Sequence, residues 1–208
     1  MIAIIDYGAG NLQSVAKALA HLGCEYVITG DRDTLLNADG AILPGVGAFG
    51  DAMDCMEKNN LKNAVLDFIE SGKPFLGICL GLQLLFKESE ETPGKTGLDI
   101  FEGSVCLIPK DNGLKIPHMG WNSLKILKKD GIFKGIEDEP YVYFVHSYYL
   151  RAKDRDIVSS QTVYGVDIDA SVQYKNVTAV QFHPEKSGKT GLKMLENFIK
   201  SVDRGGSL

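Results

Sequence analysis

The run PFLGICLGLQ, residues 74–83, decides the fold because it joins a buried strand to a helix through one cysteine. Residues 75–78 form an apolar stretch suited to a buried strand, and a helical pattern begins directly after Cys79. Gly77 and Gly81 complete a G-x-C-x-G pattern, the nucleophile-elbow motif with sulfur in place of the serine oxygen. The small neighbours permit a sharp turn. We expect this turn to hold the Cys79 side chain in a strained, exposed position above the sheet, at a helix N-terminus that stabilises negative charge.

Strands and helices alternate through the first half of the chain. The apolar stretches at residues 2–5, 26–28 and 41–43 are typical of buried strands. Apolar residues recur at helical spacing over residues 12–22 and again over residues 61–69. This alternation predicts an α/β fold with right-handed crossovers, in which a mostly parallel central sheet carries helices on both faces.

The second half of the chain is richer in β-type segments separated by turn residues. Added strands, partly antiparallel and on the same core, are expected at residues 142–145, 157–160, 170–174 and 178–182. A last amphipathic helix is expected over about 190–202. Because the sequence shows no repeat, linker or low-complexity block, we expect one domain over residues 1–202 and a loose tail over 203–208.

Composition excludes several classes of function. The chain has 208 residues, 44% of them hydrophobic and 24% charged, which suits one sizeable core. The formal charge of −5 argues against a nucleic-acid binder. No apolar run approaches the length of about 18 residues that a membrane span needs. The N-terminus lacks the basic lead of a signal peptide, and the cysteines do not lie in close pairs. We therefore expect a cytoplasmic protein.

A thiol nucleophile needs a base and a group that orients the base. His183 is the strongest candidate base because it lies in VQFHPE, residues 180–185, at the end of a predicted strand. Side chains alternate along an extended chain, so His183 and Glu185 point the same way, and Pro184 holds the extended shape. One imidazole nitrogen then faces Glu185 and the other faces Cys79, as in a catalytic triad. The alternative is an ordinary surface His-Pro-Glu at the end of a strand.

An acyl-transfer site also needs donors for an oxyanion. The elbow supplies the backbone N–H of Leu80. A second donor is available from the loop PGVG, residues 44–47, which follows a strand expected near the elbow strand, although a tight turn without a catalytic role is the alternative. Another glycine-rich loop, DYGAGN at residues 6–11, lacks the third glycine of a dinucleotide fingerprint, because Gln13 stands there. Asn11 is a candidate helix cap.

The remaining cysteines and one histidine have ordinary interpretations. Cys24, Cys55 and Cys106 lie in apolar patterns and are expected to be small buried hydrophobes. His21 lies on the polar side of a helical pattern, where we expect it to be solvated. No cysteine lies near another at metal-ligand spacing, so we expect no metal site. We also expect no cofactor.

Together the elbow, the PGVG loop and the HPE motif resemble class I glutamine amidotransferases of the Cys-His-Glu type. Further runs make the chain most similar to the glutaminase subunits of imidazole glycerol phosphate synthases, over essentially its whole length. Those runs are IIDYGAGNLQSV (4–15), LPGVGAFGDAM (43–53), PHMGWN (117–122), YFVHSYY (143–149) and VQFHPEKSG (180–188). Relatives outside this group usually carry GGPG where this chain has PGVG.

The resemblance implies that the protein hydrolyses glutamine to glutamate and ammonia. Cys79 would attack the side-chain amide, His183 would accept and return the proton, and Glu185 would orient the imidazole. The resemblance also implies two further sets of residues. They are an oxyanion hole of Leu80, Val46 and Gly47, and a glutamine site of Gly45, Gln83, Ser147 and Tyr148.

The resemblance further implies a partner, a (β/α)₈-barrel cyclase subunit that uses the ammonia to make imidazole glycerol phosphate in histidine synthesis. Interface positions are then expected at Gly10, Asn11, His118, Met119, Trp121 and Asn122. Trp121 is the only tryptophan, a residue type favoured as an interface anchor, with a partly buried core position as its ordinary alternative.

The PGVG loop suggests that the partner controls activity. If the loop does not aim an amide inward in the isolated subunit, one oxyanion donor is missing, which costs about 10²–10³ in rate. The sequence leaves three other functions open. They are a glutaminase subunit of another synthase, a stand-alone cysteine hydrolase, and a catalytically silent assembly subunit.

Overall fold

A sheet of eight strands forms the centre of the protein in the computed structural model, which describes residues 1–8, 10–110 and 113–205. In chain order the strands of the protein are β1 (Ile2–Ile5), β2 (Tyr26–Thr29), β3 (Gly40–Gly45), β4 (Phe75–Cys79), β5 (Phe86–Ser89), β6 (Phe101–Leu107), β7 (His118–Ser123), β8 (Lys125–Ile126), β9 (Tyr141–His146), β10 (Tyr148–Ala152), β11 (Val158–Val163), β12 (Asp167–Tyr174) and β13 (Val177–Val180). The central sheet has the order β2-β1-β3-β4-β13-β12-β11-β8. Its first five strands are parallel and the last three are antiparallel additions, which confirms the predicted fold class.

Helices cover both faces of this sheet. They are α1 (Leu12–His21), α2 (Arg32–Asn37), α3 (Phe49–Lys58), α4 (Leu61–Glu70), α5 (Leu80–Gln83) and α6 (Gly188–Asp203). Strand β1 shows how the two faces separate, because successive side chains of a strand point to opposite sides. Ile2 and Ile4 pack with α1 and α6, whereas Ala3 and Ile5 pack with α2, α3 and α4. Both faces of the sheet are therefore buried, as its uninterrupted apolar strands require.

Two smaller sheets lie outside the central one. Strands β10, β6 and β5 form a three-stranded sheet, and β7 pairs with β9 in an antiparallel ribbon. Residues 142–145 are thus an antiparallel strand on the common core as predicted, because Val142 and Phe144 pack with residues of α1 and α6, although the strand lies outside the central sheet. Their partner is the PHMGWN segment, whose pairing partner the sequence alone does not identify.

Several boundaries differ from the predictions. The helix after the elbow is a single turn, α5, because the chain enters β5 at Phe86. The segment predicted at 178–182 leaves the strand after Val180. Helix α6 continues to Asp203, one residue into the predicted tail, while residues 206–208 lie outside the described residues. No helix in the described part of the chain combines the length and apolar character that a membrane crossing requires.

Candidate active site

The elbow forms at Cys79, which ends β4 and precedes α5. Its φ of 55° and ψ of −106° are strained for a residue that carries a Cβ. A methyl group on Gly81 would overlap the carbonyl oxygen of Leu43, and one on Gly77 would lie 2.8 Å from the carbonyl oxygen of Gly81. Both flanking glycines are therefore required, because the turn packs directly onto the strands beside it.

The thiol is buried, contrary to the expectation that it stands exposed above the sheet. Cys79 is only 7% exposed, and its Sγ lies 3.9 Å from the carbonyl oxygen of Val145. A cavity of about 300 Å³ gives access to it. The cavity is lined by Val46, Gly47, Cys79, Leu80, Gln83, Glu91, Pro117, Val145, His146, Ser147 and Tyr148. The end of β9 and the residues that follow it, 145–148, line the cavity beside the sulfur, so the elbow forms the floor of a pocket.

His183 and Glu185 meet as predicted, although not for the reason predicted. His183 Nδ1 lies 2.8 Å from Glu185 Oε1, and both side chains are buried. The backbone is extended at His183, as expected before a proline, but Pro184 then starts one 3₁₀ turn that ends at Lys186. The idea that alternation along an extended chain aligns the two side chains is therefore wrong. The short turn brings the carboxylate back to the imidazole.

The other nitrogen of His183 faces the elbow. Burial by itself lowers the pKa of His183, but interactions with Cys79 and with Glu185 outweigh this and raise it to about 9. Nε2 is buried and has no other hydrogen-bond partner among the described residues, so Cys79 is the group on the elbow side with which it interacts. The raised pKa favours a protonated His183 imidazolium at neutral pH.

The predicted oxyanion loop begins beside the nucleophile. Gly45 is the parallel register partner of Cys79, so Val46 and Gly47 follow at the same edge of the sheet. Gly47 has a φ of 101°, which favours glycine, and both loop residues are exposed. A methyl group on Gly45 would lie 2.7 Å from the Tyr7 hydroxyl and 2.8 Å from Leu80 Cβ, so glycine is required at this contact.

Gln83, Ser147 and Tyr148, predicted to bind glutamine, line the cavity together. Gln83 Nε2 donates to the Tyr148 carbonyl at 3.0 Å, and the Ser147 carbonyl accepts from Ile108 N at 2.9 Å. The Tyr148 carbonyl also contacts His146 Nδ1 at 2.9 Å, so both of its lone pairs are used, whereas the Ser147 carbonyl keeps one lone pair for a ligand.

Glu91 and Gln181 are site residues that the sequence interpretation missed. Glu91 lines the cavity, and its Oε2 accepts from Phe49 N at 2.7 Å, at the start of α3. Gln181 Nε2 lies 3.7 Å from Cys79 Sγ. Glu91 stands in an acidic loop in which nothing distinguishes it from its neighbours. Gln181 is part of the quoted VQFHPE run, and its position beside two recognised residues was the available signal.

The predicted interface residues fall into three groups, which are exposed, buried and half-buried. Met119 is 61% exposed and Trp121 is 56% exposed, so a core position for the tryptophan is excluded. The expectation for His118 is wrong, because its side chain is 2% exposed and stacks on Phe144 and Tyr164, with ring centroids 4.7 Å and 4.0 Å away.

The other three predicted interface residues are half-buried. Asn122 donates to the Val163 carbonyl and contacts His118 Nε2 at 3.3 Å. Asn11 stands at the N-cap of α1 as predicted, yet its side chain bonds Ser14 Oγ rather than a backbone N–H. Gly10 lies against the PGVG loop, since a methyl group there would be 3.5 Å from the Pro44 carbonyl oxygen.

His118 and His146 form a buried pair. His118 Nδ1 lies 2.9 Å from His146 Nε2, and His146 Nδ1 lies 2.9 Å from the Tyr148 carbonyl oxygen. Burial lowers the pKa of His118 to about 4 and that of His146 to about 3. Both imidazoles are therefore neutral at neutral pH, and His146 is a poorer base than His183.

Comparisons with known proteins agree with this geometry. A family model for glutamine amidotransferase class-I matches residues 3–202. The chain is 51% identical to an imidazole glycerol phosphate synthase subunit HisH from Methanothermobacter thermautotrophicus, with 97% of this chain and 99% of the relative covered. It is 50% identical to the HisH subunit from Aquifex aeolicus, with 97% of each covered.

Solved structures share the fold at lower identity. A crystal structure of a glutamine amidotransferase matches with a TM-score of 0.76 and 19% identity, covering 97% of this chain and 98% of the other. PurLQS from Thermotoga maritima matches with a TM-score of 0.72 and 21% identity, over 97% of this chain and 98% of the other. On the family match over residues 3–202 and the identity to these relatives, the chain belongs to the class I glutamine amidotransferases.

Proposed function

We propose that this protein hydrolyses glutamine to glutamate and ammonia as the glutaminase subunit of an imidazole glycerol phosphate synthase, in histidine biosynthesis. One observation carries the chemistry. Cys79, at the strained elbow, raises the pKa of His183, which lies more than a hundred positions further along the chain. His183 is also hydrogen-bonded to the buried Glu185 at 2.8 Å. Relatives of 50–52% identity named as HisH subunits support the assignment to this synthase.

The first half of the reaction forms a thioester. The Cys79 thiolate attacks the side-chain carbonyl carbon of glutamine and pushes the π electrons onto oxygen. The His183 imidazolium gives its proton to the amide nitrogen, the C–N bond breaks, and ammonia leaves as the carbonyl re-forms. Glu185 keeps Nδ1 protonated and so leaves Nε2 as the atom that exchanges the proton.

The second half hydrolyses the thioester. Neutral His183 takes a proton from water while the oxygen bonds to the acyl carbon, and the C–S bond then breaks to release the thiolate. The products are glutamic acid, which ionises in solvent, and the restored imidazolium–thiolate pair. In both halves the backbone N–H groups of Leu80 and the Val46–Gly47 segment are proposed to bind the oxyanion.

Glu91 and Gln83 suit the amino-acid end of the substrate. Glu91 brings a carboxylate to the cavity wall, which fits the α-ammonium of glutamine. Nε2 of Gln83 already donates to protein acceptors, so its Oε1 is the atom offered to a substrate N–H. These two residues would bind glutamine without contacting the reacting amide.

We propose that a (β/α)₈-barrel cyclase subunit binds the face that carries Met119 and Trp121. Gly10 is predicted at the interface and lies against the PGVG loop. A partner that moves the residue 6–11 loop would therefore act directly on the segment proposed to supply an oxyanion donor.

A glutaminase assay tests this function. We expect slow turnover by the isolated chain and activation of about 10²-fold or more when the purified cyclase subunit and its ribulosyl substrate are added, since one oxyanion donor is worth that much. Cys79→Ala, the control, should be inactive in both conditions and should not be labelled by a glutamine-like chloroketone.

Other outcomes identify the alternatives. Equal turnover with and without the loaded partner would refute the gating and favour a stand-alone hydrolase. Activation by a different synthase alone would change the assigned acceptor. Absence of labelling and of turnover in every condition would indicate a catalytically silent subunit.

A further inference from the structure

The backbone carbonyl of Tyr148 orders the polar side chains of the site. Its oxygen accepts from Gln83 Nε2 at 3.0 Å and from His146 Nδ1 at 2.9 Å. A carbonyl oxygen can only accept hydrogen bonds, so the amide nitrogen of Gln83, and not its oxygen, faces Tyr148. The Tyr148 carbonyl thereby fixes which way round the Gln83 amide stands.

The same nitrogen of Gln83 determines the orientation of Gln181. Gln83 Nε2 also lies 3.1 Å from Gln181 Oε1, which must therefore be the accepting end of that amide. The donating end, Gln181 Nε2, is left facing Cys79 Sγ at 3.7 Å. Gln181 is fully buried, and its backbone N donates to the Ala170 carbonyl at 2.8 Å, so its position is held from both sides.

We propose that Gln181 is a catalytic residue that donates an N–H hydrogen bond to the sulfur of Cys79 and stabilises the thiolate. The chemistry of the step rests on the proposed function, but the hydrogen bond does not. The Val145 carbonyl, 3.9 Å from the sulfur, accepts from a thiol and opposes a thiolate. Gln181 offsets this effect with a neutral donor, while His183 supplies the charged one.

The donor acts at both ends of the reaction. Before attack it increases the fraction of Cys79 present as thiolate. When the thioester is hydrolysed it stabilises the sulfur as the bonding electron pair returns to it, so that C–S cleavage becomes easier. No proton is transferred to or from Gln181 in either step.

Alkylation of Cys79 by iodoacetamide, followed peptide by peptide in a mass spectrometer, measures this hydrogen bond without any need for glutamine turnover. Gln181→Met removes the donor in a chain of similar length. We expect its rate constant for Cys79 alkylation at pH 7 to fall about tenfold, the effect of losing one hydrogen bond to a charged group. Gln181→Glu keeps an acceptor for Gln83 and adds a like charge, so its rate should fall further. Gln173→Met, on the neighbouring strand β12, is the matched control and should react like the wild type.

Turnover in the presence of the cyclase subunit provides the second readout. We expect kcat of Gln181→Met to fall about tenfold while KM changes less than twofold, since Gln83 keeps its bond to Tyr148. The proposal would be overturned if folded Gln181→Met were alkylated at Cys79 with the rate constant of the wild type, or if its kcat were unchanged. If Gln181→Met does not fold, Gln181→Glu keeps the proposal falsifiable, because an alkylation rate equal to that of the wild type would overturn it. A wild-type protein that never hydrolyses glutamine would refute the proposed function and leave the alkylation result intact.

Discussion

At the scale of single residues, the site depends on side chains held against their usual preferences. Cys79 occupies a backbone conformation that residues with a Cβ rarely adopt, and His183 keeps a proton in a buried position because Cys79 and Glu185 attract it. The pattern of glycines around Cys79 made the first of these features predictable from sequence. The pairing of His183 with Glu185 was also predicted, but from a wrong backbone conformation.

Glu185→Gln tests the negative charge of the Glu185 carboxylate with little change in side-chain shape. The amide oxygen still accepts from Nδ1, but the negative charge that helps to raise the pKa of His183 is lost. We expect kcat of the partnered enzyme to fall about 10²-fold, within the range of general acid–base contributions. The high-pH limit of the rate profile should also move to lower pH. Glu137→Gln, on the surface, is the control. Full activity of Glu185→Gln would remove Glu185 from the triad.

Tyr7→Phe tests whether the buried Tyr7 hydroxyl, which lies against the PGVG loop, destabilises the folded protein. The Tyr7 hydroxyl is fully buried beside Gly45, and none of the described residues forms a hydrogen bond with it. Replacing it with phenylalanine should raise the free energy of unfolding by about 1 kcal/mol, because a desolvated polar group is removed. Tyr164→Phe is the opposite case, since its hydroxyl donates to the Lys115 carbonyl at 2.7 Å, and urea unfolding should show a loss. A loss of stability in Tyr7→Phe would mean that the hydroxyl does have a partner.

At the scale of elements, the β7–β9 ribbon and the elbow turn decide the shape of the pocket. The ribbon buries His118 and His146 inside and leaves Met119 and Trp121 outside. PHMGWN and YFVHSYY carry the family resemblance, but the sequence did not show that they pair, so the burial of His118 was not predicted. Strand pairing between distant segments leaves no local pattern that separates one partner from another.

The buried histidine pair predicts acid sensitivity. In the unfolded chain these imidazoles bind protons below about pH 6.5, whereas in the folded protein they do so only near pH 4 and pH 3. The unfolded state binds more protons in this window, so the free energy of unfolding should fall as pH drops from 6.5 to about 4. Urea unfolding at pH 7.5 and 4.5 measures the loss. His118→Phe should reduce it, and an equal loss in that variant would exclude the pair as its source.

Gly81→Ala tests the fit of the elbow. The added methyl group overlaps the Leu43 carbonyl oxygen, so β3 and the elbow turn cannot both keep their places. We expect a loss of about 3 kcal/mol in unfolding free energy, as for an overpacked core position. Gly23→Ala is the control, since its φ of 70° is unfavourable but no atom lies within 4 Å, and it should lose only about 1 kcal/mol. Equal losses would show that the elbow tolerates the methyl group.

At the scale of the whole molecule, the sheet brings together residues that lie far apart in the chain. Parallel strands β3, β4 and β13 end at one edge, so the PGVG loop, Cys79 and the segment leading to His183 converge there. The placement of β3 and β4 follows from the alternation of strands and helices and was predictable. The parallel pairing of β13 with β4 was not, because residues 178–182 belong to the half of the chain where added, partly antiparallel strands were expected. The part of the cavity wall formed by Glu91 and residues 145–148 was not predictable from the sequence, because these residues belong to segments outside the central sheet.

Trp121→Ala tests the proposed partner surface. An exposed anchor of this kind contributes about 2 kcal/mol, so the Kd for the cyclase subunit should rise about 30-fold. The melting temperature and basal glutaminase activity of the isolated chain should stay unchanged. Tyr174→Ala, exposed on β12, is the matched control and should bind normally. Unaltered affinity in Trp121→Ala would place the interface elsewhere.

The three buried histidines also set the pH of greatest stability. Between pH 6.5 and about 9 the folded protein holds a proton on His183 that the unfolded chain has released, so this stabilisation is lost as pH rises through that range. His118 and His146 act in the opposite direction below pH 6.5. Their combined contribution is greatest near pH 6.5, a prediction that urea unfolding across pH 4–9 can check.

Residues 145–148, which cover the Cys79 thiol, connect the partner-facing surface to the opening of the cavity. Strand β9 runs directly into the segment that covers Cys79, and its pairing partner β7 carries Trp121 on the outer surface. A partner bound to Trp121 would contact β7, and β7 is hydrogen-bonded to β9, whose last residues line the cavity at Cys79. A partner that shifts the β7–β9 ribbon would therefore change the width of the cavity opening through which an amino acid reaches Cys79.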